Sequence, residues 1–289
     1  MYDLILVDFS WIYNKYYYVA KVRPLREDNS PEAIGATACD MLLQFFRRIS
    51  GNYPEAHIML ALDPPTTTTG NYSLCEDYKQ NRNKEEKKEV YSAFKDIVGT
   101  LSKKLNSKCS FVRAVGFEAD QVISYLAEQY QTSHSILIFS GDKDLLQLTY
   151  YENVDISDKF EKGTFLIKSD EEIFGKFKNN KGEDFTRVSN NKKDILKYRV
   201  LKGDPSDNLK PVFPRIKDSE IISIIQNYWI DEEVLTDIKI DYMIEDIRSS
   251  NKDLAEKLDK NREVWLRNYK IMNLYGLKGL KVKKVKAHG

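Results

Sequence analysis

The sequence predicts an α/β protein: a central, mostly parallel sheet flanked by helices, joined to a helical region that fills the carboxyl-terminal third. Three observations lead there. Unbroken apolar runs at residues 4–7, 58–62 and 136–139 suit strands buried on both faces, the pattern of a parallel sheet rather than of a half-exposed one. Each run is followed within three residues by an aspartate, Asp8, Asp63 or Asp142. Between the runs, and beyond Ile195, apolar residues recur at helical spacing.

Taken in order, residues 4–8 form a central first strand with Asp8 at its carboxyl end. Ser30 and Pro31 open the next element, serine as N-cap and proline at the first helical position, and Ile34, Ala38, Met41, Leu42, Phe45 and Phe46 supply its apolar stripe. A second strand over residues 58–62 ends in Asp63, and Pro64-Pro65 stops it. Residues 66–72 are polar and turn-rich. A charged helical stretch follows, with eight basic and four acidic residues from Lys79 to Lys104. Such a run can be a solvated helix face carrying i,i+4 ion pairs. Directly after an acid-tipped strand, it can instead hold phosphates, with Tyr78 available to stack on a base.

Residues 109–115 give another short strand, and Gly116-Phe117-Glu118-Ala119-Asp120-Gln121 opens a helix. Residues two apart do not share a helix face. Glu118 and Asp120 therefore reach one site only if Glu118 precedes the helix and Asp120 lies in its first turn. Acids there also simply complement the helix dipole. Residues 136–139 form a further central strand, and Ser140-Gly141 turns the chain into Asp142-Lys143-Asp144. Two hard carboxylates beside a glycine turn suit a divalent cation, although for this pair alone a capped loop is the simpler account. Residues 154–156 and 164–167 read as a strand pair at the sheet edge. Residues 174–193, rich in Lys and Asn, mark the domain boundary, giving domains over 1–175 and 192–289. Helical patterning resumes at Ile195, breaks at a turn carrying Asp204 and Asp207, and returns at 221–229, 242–247 and 254–274. A tail over 278–286 carries five lysines and no acid, either a nucleic-acid contact or a solubilising end.

Composition narrows the function classes. The 289 residues are 42% hydrophobic and 31% charged, enough for a sizeable core in a soluble protein. A net charge of +1, from 45 basic and 44 acidic residues, excludes a uniformly basic nucleic-acid binder and leaves local patches to decide. Three cysteines without metal-ligand spacing, and three histidines that do not cluster with them, argue for a reducing compartment and against zinc. No run reaches the length of a membrane span or a secretory leader. A cytosolic protein is expected, with no membrane partner.

The acids carry the chemistry. Asp8, Asp63, Glu118, Asp120, Asp142, Asp144, Asp204 and Asp207, gathered in one pocket, would repel one another unless cations neutralised them. Two divalent ions about 3.5–4 Å apart would do so, and would polarise a phosphodiester without a nucleophilic serine, cysteine or histidine. Oxygen-only donors suit Mg²⁺, with Mn²⁺ able to substitute.

At this point the residues resemble the flap endonuclease or 5′-nuclease family, whose catalytic core is PIN-like. The resemblance is carried by Val-Asp-Phe-Ser at Asp8, Leu-Asp at Asp63, Tyr-Lys-x-Asn-Arg at Tyr78, Gly-Phe-Glu-Ala-Asp at Glu118, Ser-Gly-Asp-Lys-Asp-Leu at Asp142 and Gly-Asp-Pro-Ser-Asp-Asn at Asp204. Each piece is weak, but six in this order are specific, and they span about two-thirds of the chain. Leu-Lys-Gly-Asp around Lys202, the length and the lack of a polymerase domain look most like the stand-alone bacteriophage enzymes called RNase H or 5′-exonuclease.

The resemblance implies that Asp8, Asp63, Glu118 and Asp120 hold a first metal, with Asp142, Asp144, Asp204 and Asp207 toward a second. It implies that Tyr78, Lys79 and Arg82, with Lys84, stand at the base of a helical arch near residues 66–105, Lys79 and Arg82 contacting the scissile phosphate. A helix-three-turn-helix-like region, with Lys202, would grip DNA. The implied activities are 5′-3′ exonuclease, flap endonuclease and RNase H, removing RNA primers and 5′ flaps during replication. The implied partners are branched or flapped DNA and RNA–DNA hybrid, with a single-strand-binding protein or sliding clamp, for a monomeric enzyme.

Two departures stand out. Many relatives carry a second aspartate where this chain has Gln121, so activity is expected to survive with an altered metal preference or weaker flap cleavage. Residues 209–217 contain no glycine, so a tight φ > 0 turn is hard to build there. No K⁺ site is expected, and Lys210, Arg215 and Lys217 are expected to hold phosphates instead. A DNA-structure-binding protein with impaired catalysis is the alternative. A haloacid-dehalogenase-type phosphatase ranks below both, because it needs an acid at the place of Ser10.

Overall fold

A computed structural model of the chain describes residues 1–22, 28, 30–64, 70–81, 90–174, 191–230 and 234–285. The chain forms two compact units that are not consecutive in sequence. The first comprises Met1–Thr69, Arg82–Lys168 and Leu277–Gly289, the second Gly70–Asn81 and Ser169–Gly276. Most of the expected boundary at 174–193 lies outside the described residues.

The first unit is built on a six-stranded sheet of β1 (Leu4–Asp8), β2 (His57–Ala61), β3 (Cys109–Arg113), β4 (Ile136–Phe139), β5 (Val154–Ser157) and, after the other unit, β8 (Lys283–Lys284). Their order is β5-β4-β1-β2-β3-β8, with the first five parallel and β8 antiparallel to β3. β1 is buried along its whole length, as a strand covered on both faces must be. The chain steps from β1 outward to β2 and β3, then returns to place β4 on the other side of β1. The strand order therefore reverses between β1 and β4. In open α/β sheets, the crevice at the carboxyl ends of such strands is where ligands bind. Val7 sits opposite Phe139, so Asp8 and the Ser140-Gly141-Asp142 turn emerge together at that crevice.

The helix Pro31–Asn52 starts as expected: Ser30 Oγ accepts from the Ala33 amide and Pro31 stands in the first turn. It helps to bury an aromatic cluster that includes Phe9, Tyr13, Phe45, Phe46, Phe111 and Phe139. The Phe9 and Phe111 rings meet edge to face at 4.9 Å between centroids, a favoured geometry.

The second unit is helical. Its described elements include Asp194–Lys202, a short turn at Pro205–Asp207, and the helices Asp218–Asn227, Asp237–Ser250, Lys252–Lys260 and Arg262–Met272. Trp265, Ile195, Val200, Ile221, Ile224, Ile240 and Leu258 lie in its interior. The fully buried Asn268 donates Nδ2 hydrogen bonds to the Val200 carbonyl at 3.0 Å and the Lys210 carbonyl at 2.9 Å. It thereby satisfies a carbonyl near the end of one helix and another in the following turn.

Three expectations are corrected, and part of the tail is placed. Residues 154–156 and 164–167 do not pair with each other: β5 joins β4, whereas Thr164–Phe165 (β7) folds back on Phe160–Glu161 (β6). Lys162 and Gly163, both at positive φ, make so tight a connection that the segment pairs locally. The stretch 254–274 is two helices rather than one, because Asn261 ends the first and begins the second. Within the lysine-rich tail, Lys283 and Lys284 form a short exposed strand opposite Arg113 and Val112. Finally, a tight turn does form without glycine. Arg215 adopts φ 62° within 209–217, and Asn208 adopts φ 60° just before it. Asparagine enters this region readily; arginine does so at a cost of order 1 kcal/mol. The glycine that this region does require is Gly203, at φ +73°. A Cβ there would lie 2.5 Å from the Leu209 carbonyl oxygen.

Candidate metal centre

Six of the eight expected acids belong to the first unit. Asp8 ends β1 and caps the helix Phe9–Lys21: its Oδ1 accepts from the Trp11 amide at 3.0 Å. Its Oδ2 accepts from the Ser140 hydroxyl at 3.1 Å. Ser140 Oγ in turn accepts from the Asp142 amide at 3.1 Å, and Asp142 Oδ1 accepts from the Asp144 amide at 2.9 Å. One fully buried hydroxyl thus ties the ends of β1 and β4 together and sets the turn that carries both aspartates. Gly141 is needed because a Cβ at this position would stand 2.6 Å from Trp11 Nε1.

Asp63 follows β2, and its Oδ1 accepts from the Ala119 amide at 3.0 Å, at the start of the helix Ala119–Tyr130. Glu118 is the extended N-cap of that helix, with φ −73° and ψ 164°, and Asp120 lies in its first turn. Glu118 thus precedes the helix and Asp120 lies within it, so the two need not share a helix face. Asp120, Asp142 and Asp144 each bring a carboxylate oxygen within 4.8 Å of the other two.

The crowding has an electrostatic signature. The Asp8 carboxyl is pushed up to about 7, first by burial and then by the neighbouring Asp63 carboxylate, with a further contribution from Asp142. Tyr91 is also raised, by burial and then by Asp63. Hard oxygen donors, like-charge repulsion and the lack of a cysteine or histidine in the set fit an oxygen-preferring divalent ion.

The remaining expected residues lie in the second unit or beyond the described residues. Asp204 Oδ2 accepts from Arg199 Nη2 at 2.6 Å, and Asp204 Oδ1 accepts from both the amide and the hydroxyl of Ser206. These partners hold its carboxyl below the usual range against the opposing effect of burial. Asp207 Oδ2 accepts from the Tyr78 hydroxyl at 3.3 Å and lies 3.8 Å from Lys79 Nζ. The Lys79 amide donates to the Asp207 carbonyl at 3.0 Å, and Lys79 holds φ 55°, a strained conformation for a lysine. Tyr78 was expected to stack on a base. It is instead only 3% exposed, packed edge-on to Tyr72 and beneath Lys79 Nζ, because its hydroxyl is drawn inward to Asp207. Lys202 is likewise engaged, 2.6 Å from Asp218 Oδ1. Lys210, Arg215 and Lys217 are exposed. Arg82 and Lys84 lie outside the described residues.

Sequence reasoning read Ser140 and Gly141 only as a turn, gave no role to Tyr91, and treated Gln121 only as a missing acid. The Ser-Gly pair directly before Asp142 was the available signal for the first two. Tyr91 carried none, since its place beside the acids arises only on folding.

A model of the 5′-3′ exonuclease N-terminal resolvase-like domain matches residues 3–178, and the chain belongs to this family. A 5′-3′ exonuclease of Mycoplasmopsis pulmonis (strain UAB CTIP) is 29% identical over 174 residues, covering 60% of this chain and 52% of that protein. A 5′-3′ exonuclease of Aquifex aeolicus (strain VF5) is 28% identical over 197 residues, covering 67% of this chain and 60% of that protein. The chain thus spans little more than half the length of these relatives. Among solved structures, the T5 D15 protein co-crystallized with metal ions superposes with a TM-score of 0.66 at 15% identity, over 94% of this chain and 89% of that one. The T5 D15 flap endonuclease in a pseudo-enzyme–product complex with DNA and metal ions gives a TM-score of 0.63 at 14% identity, with the same coverages of 94% and 89%. These likenesses establish the fold. No helix among the described residues is long and apolar enough to cross a membrane.

Proposed function

We propose that this protein is a divalent-metal-dependent 5′-nuclease, acting as 5′-3′ exonuclease, flap endonuclease and RNase H, that removes RNA primers and 5′ flaps during DNA replication. The observation that carries the reading is the convergence of Asp120, Asp142 and Asp144 within 4.8 Å, at the sheet edge where Asp8 also emerges, in a chain of the 5′-3′ exonuclease family.

Asp8, Asp63, Glu118, Asp120, Asp142 and Asp144 would hold Mg²⁺ or Mn²⁺. Bound there, divalent charge would polarise the phosphodiester and stabilise the leaving oxygen. The chain's own contribution is orientation: Ser140 and the Trp11 amide aim the two oxygens of Asp8, and the Ala119 amide aims Asp63. Lys79 and Arg82 are proposed to meet substrate phosphate, and the exposed Lys210, Arg215 and Lys217 to hold duplex backbone, contacts that add affinity without sequence preference. The T5 flap endonuclease complex with DNA and metal ions supports both ligands by analogy.

The test is incubation with a 5′-labelled flap and with an RNA–DNA hybrid in Mg²⁺, in Mn²⁺ and in EDTA. Short 5′ products only with metal are expected. Tight flap binding without products in either metal would select a binding protein of the same fold.

A further inference from the structure

Gln121 stands in the third position of the helix Ala119–Tyr130 and is 8% exposed. Its Oε1 accepts from the Glu118 amide at 3.0 Å, and its own amide donates to Asp120 Oδ1 at 2.7 Å. It is therefore hydrogen-bonded to both acids that precede it. Glu118 is itself buried, and its amide precedes the helix, where no intrahelical carbonyl can serve it. Without the Gln121 side chain that hydrogen bond would be lost, and with it an anchor of the backbone that carries the Glu118 carboxylate.

Glutamate would accept the same hydrogen bond, but would add another negative charge beside Glu118 and Asp120. The amide does the capping without that repulsion. We infer that Gln121 is a positioning residue: its side-chain amide fixes Glu118 and the first turn for cation binding while keeping the cluster's charge low. The inference rests on the metal-nuclease reading above.

The test uses the full chain and measures Mg²⁺ and Mn²⁺ binding by calorimetry, well below the melting temperature, with metal-free thermal stability recorded alongside. Gln121→Met keeps size and removes the acceptor; it should bind either ion about tenfold more weakly, the loss expected for one buried hydrogen bond. Gln121→Glu restores the acceptor; it should bind at least as tightly as the parent, yet melt at a lower temperature without metal at pH 8. A merely structural role would lower the melting temperature of Gln121→Met and leave its metal affinity at the parent value, which would overturn the inference. Equal weakening in Gln121→Glu would overturn it too, and that variant keeps the test decisive if Gln121→Met does not fold. Failure of the parent chain to bind either ion would overturn the metal-nuclease reading, and this inference with it.

Discussion

Raising the pH from 5 to 8 in the presence of EDTA should destabilise the protein, and Asp8 should be a main cause. Folding moves its carboxyl from an ordinary 3.8 to about 7, which corresponds to at most about 4 kcal/mol between its protonated and ionised forms. Because the folded value is the higher one, the folded chain binds this proton more tightly than the unfolded chain does. The stabilisation is fully present below about pH 4, is lost as pH rises to about 7, and is level above that. Asp8→Asn is neutral at every pH and keeps an oxygen to accept from the Trp11 amide. Urea unfolding at pH 5, 6, 7 and 8 should give a falling profile for the parent and a flatter one for Asp8→Asn, which should be the more stable by up to about 4 kcal/mol at pH 8. Adding Mg²⁺ at pH 8 should then restore the parent by mass action, and the variant far less. Parallel pH profiles for the two proteins would refute the crowding that the carboxylate geometry implies.

Three further outcomes follow from particular contacts. Gly141→Ala would set a Cβ 2.6 Å from Trp11 Nε1; it should cost about 1–3 kcal/mol in denaturant unfolding, the usual range for overpacking, and should also weaken metal binding by displacing Asp142. Asn268→Ala would leave the Val200 and Lys210 carbonyls without their donor, a loss of about 2–4 kcal/mol in the same assay. Lys79→Ala should weaken flap binding most at low salt, and should reduce the slope of log K against log salt by about 0.7–0.9, the value of one phosphate contact.

Much of the first unit was legible because central strands of a parallel sheet, covered on both faces, read as unbroken apolar runs. Residues 4–7, 58–62 and 136–139 read as such runs, and strands stand at Leu4–Asp8, His57–Ala61 and Ile136–Phe139 with the aspartates at or just beyond their carboxyl ends. Ser30-Pro31 was equally plain, and so was the constraint that Glu118 precede its helix, since helical geometry leaves no other way to join it with Asp120. What escaped sequence reasoning was set by long-range contacts. Lys283 and Lys284 look like a solvated tail, yet they complete an edge of the sheet beside β3. Tyr78 looks like an exposed aromatic in a basic run, yet Asp207, 129 residues away, holds its hydroxyl. The glycine-free stretch 209–217 seemed unable to turn because φ > 0 was assigned to glycine alone; Asn208 and Arg215 provide it. Gln121 read as a lost acid, although its place three residues after the N-cap Glu118 is the spacing of a capping box, in which a Gln side chain accepts from the N-cap amide.

The most direct test of the metal-nuclease account is single-turnover cleavage of a 5′-labelled flap in Mg²⁺ by the parent chain and by Asp142→Asn, with metal-free unfolding measured on the same preparations. Removing a charge from the cluster should slow cleavage by about 10³-fold or more, in keeping with loss of a metal-held transition state, while metal-free stability stays equal or rises because repulsion is relieved. Equal cleavage rates, or a slow variant that is also markedly less stable, would contradict a metal-binding role for Asp142.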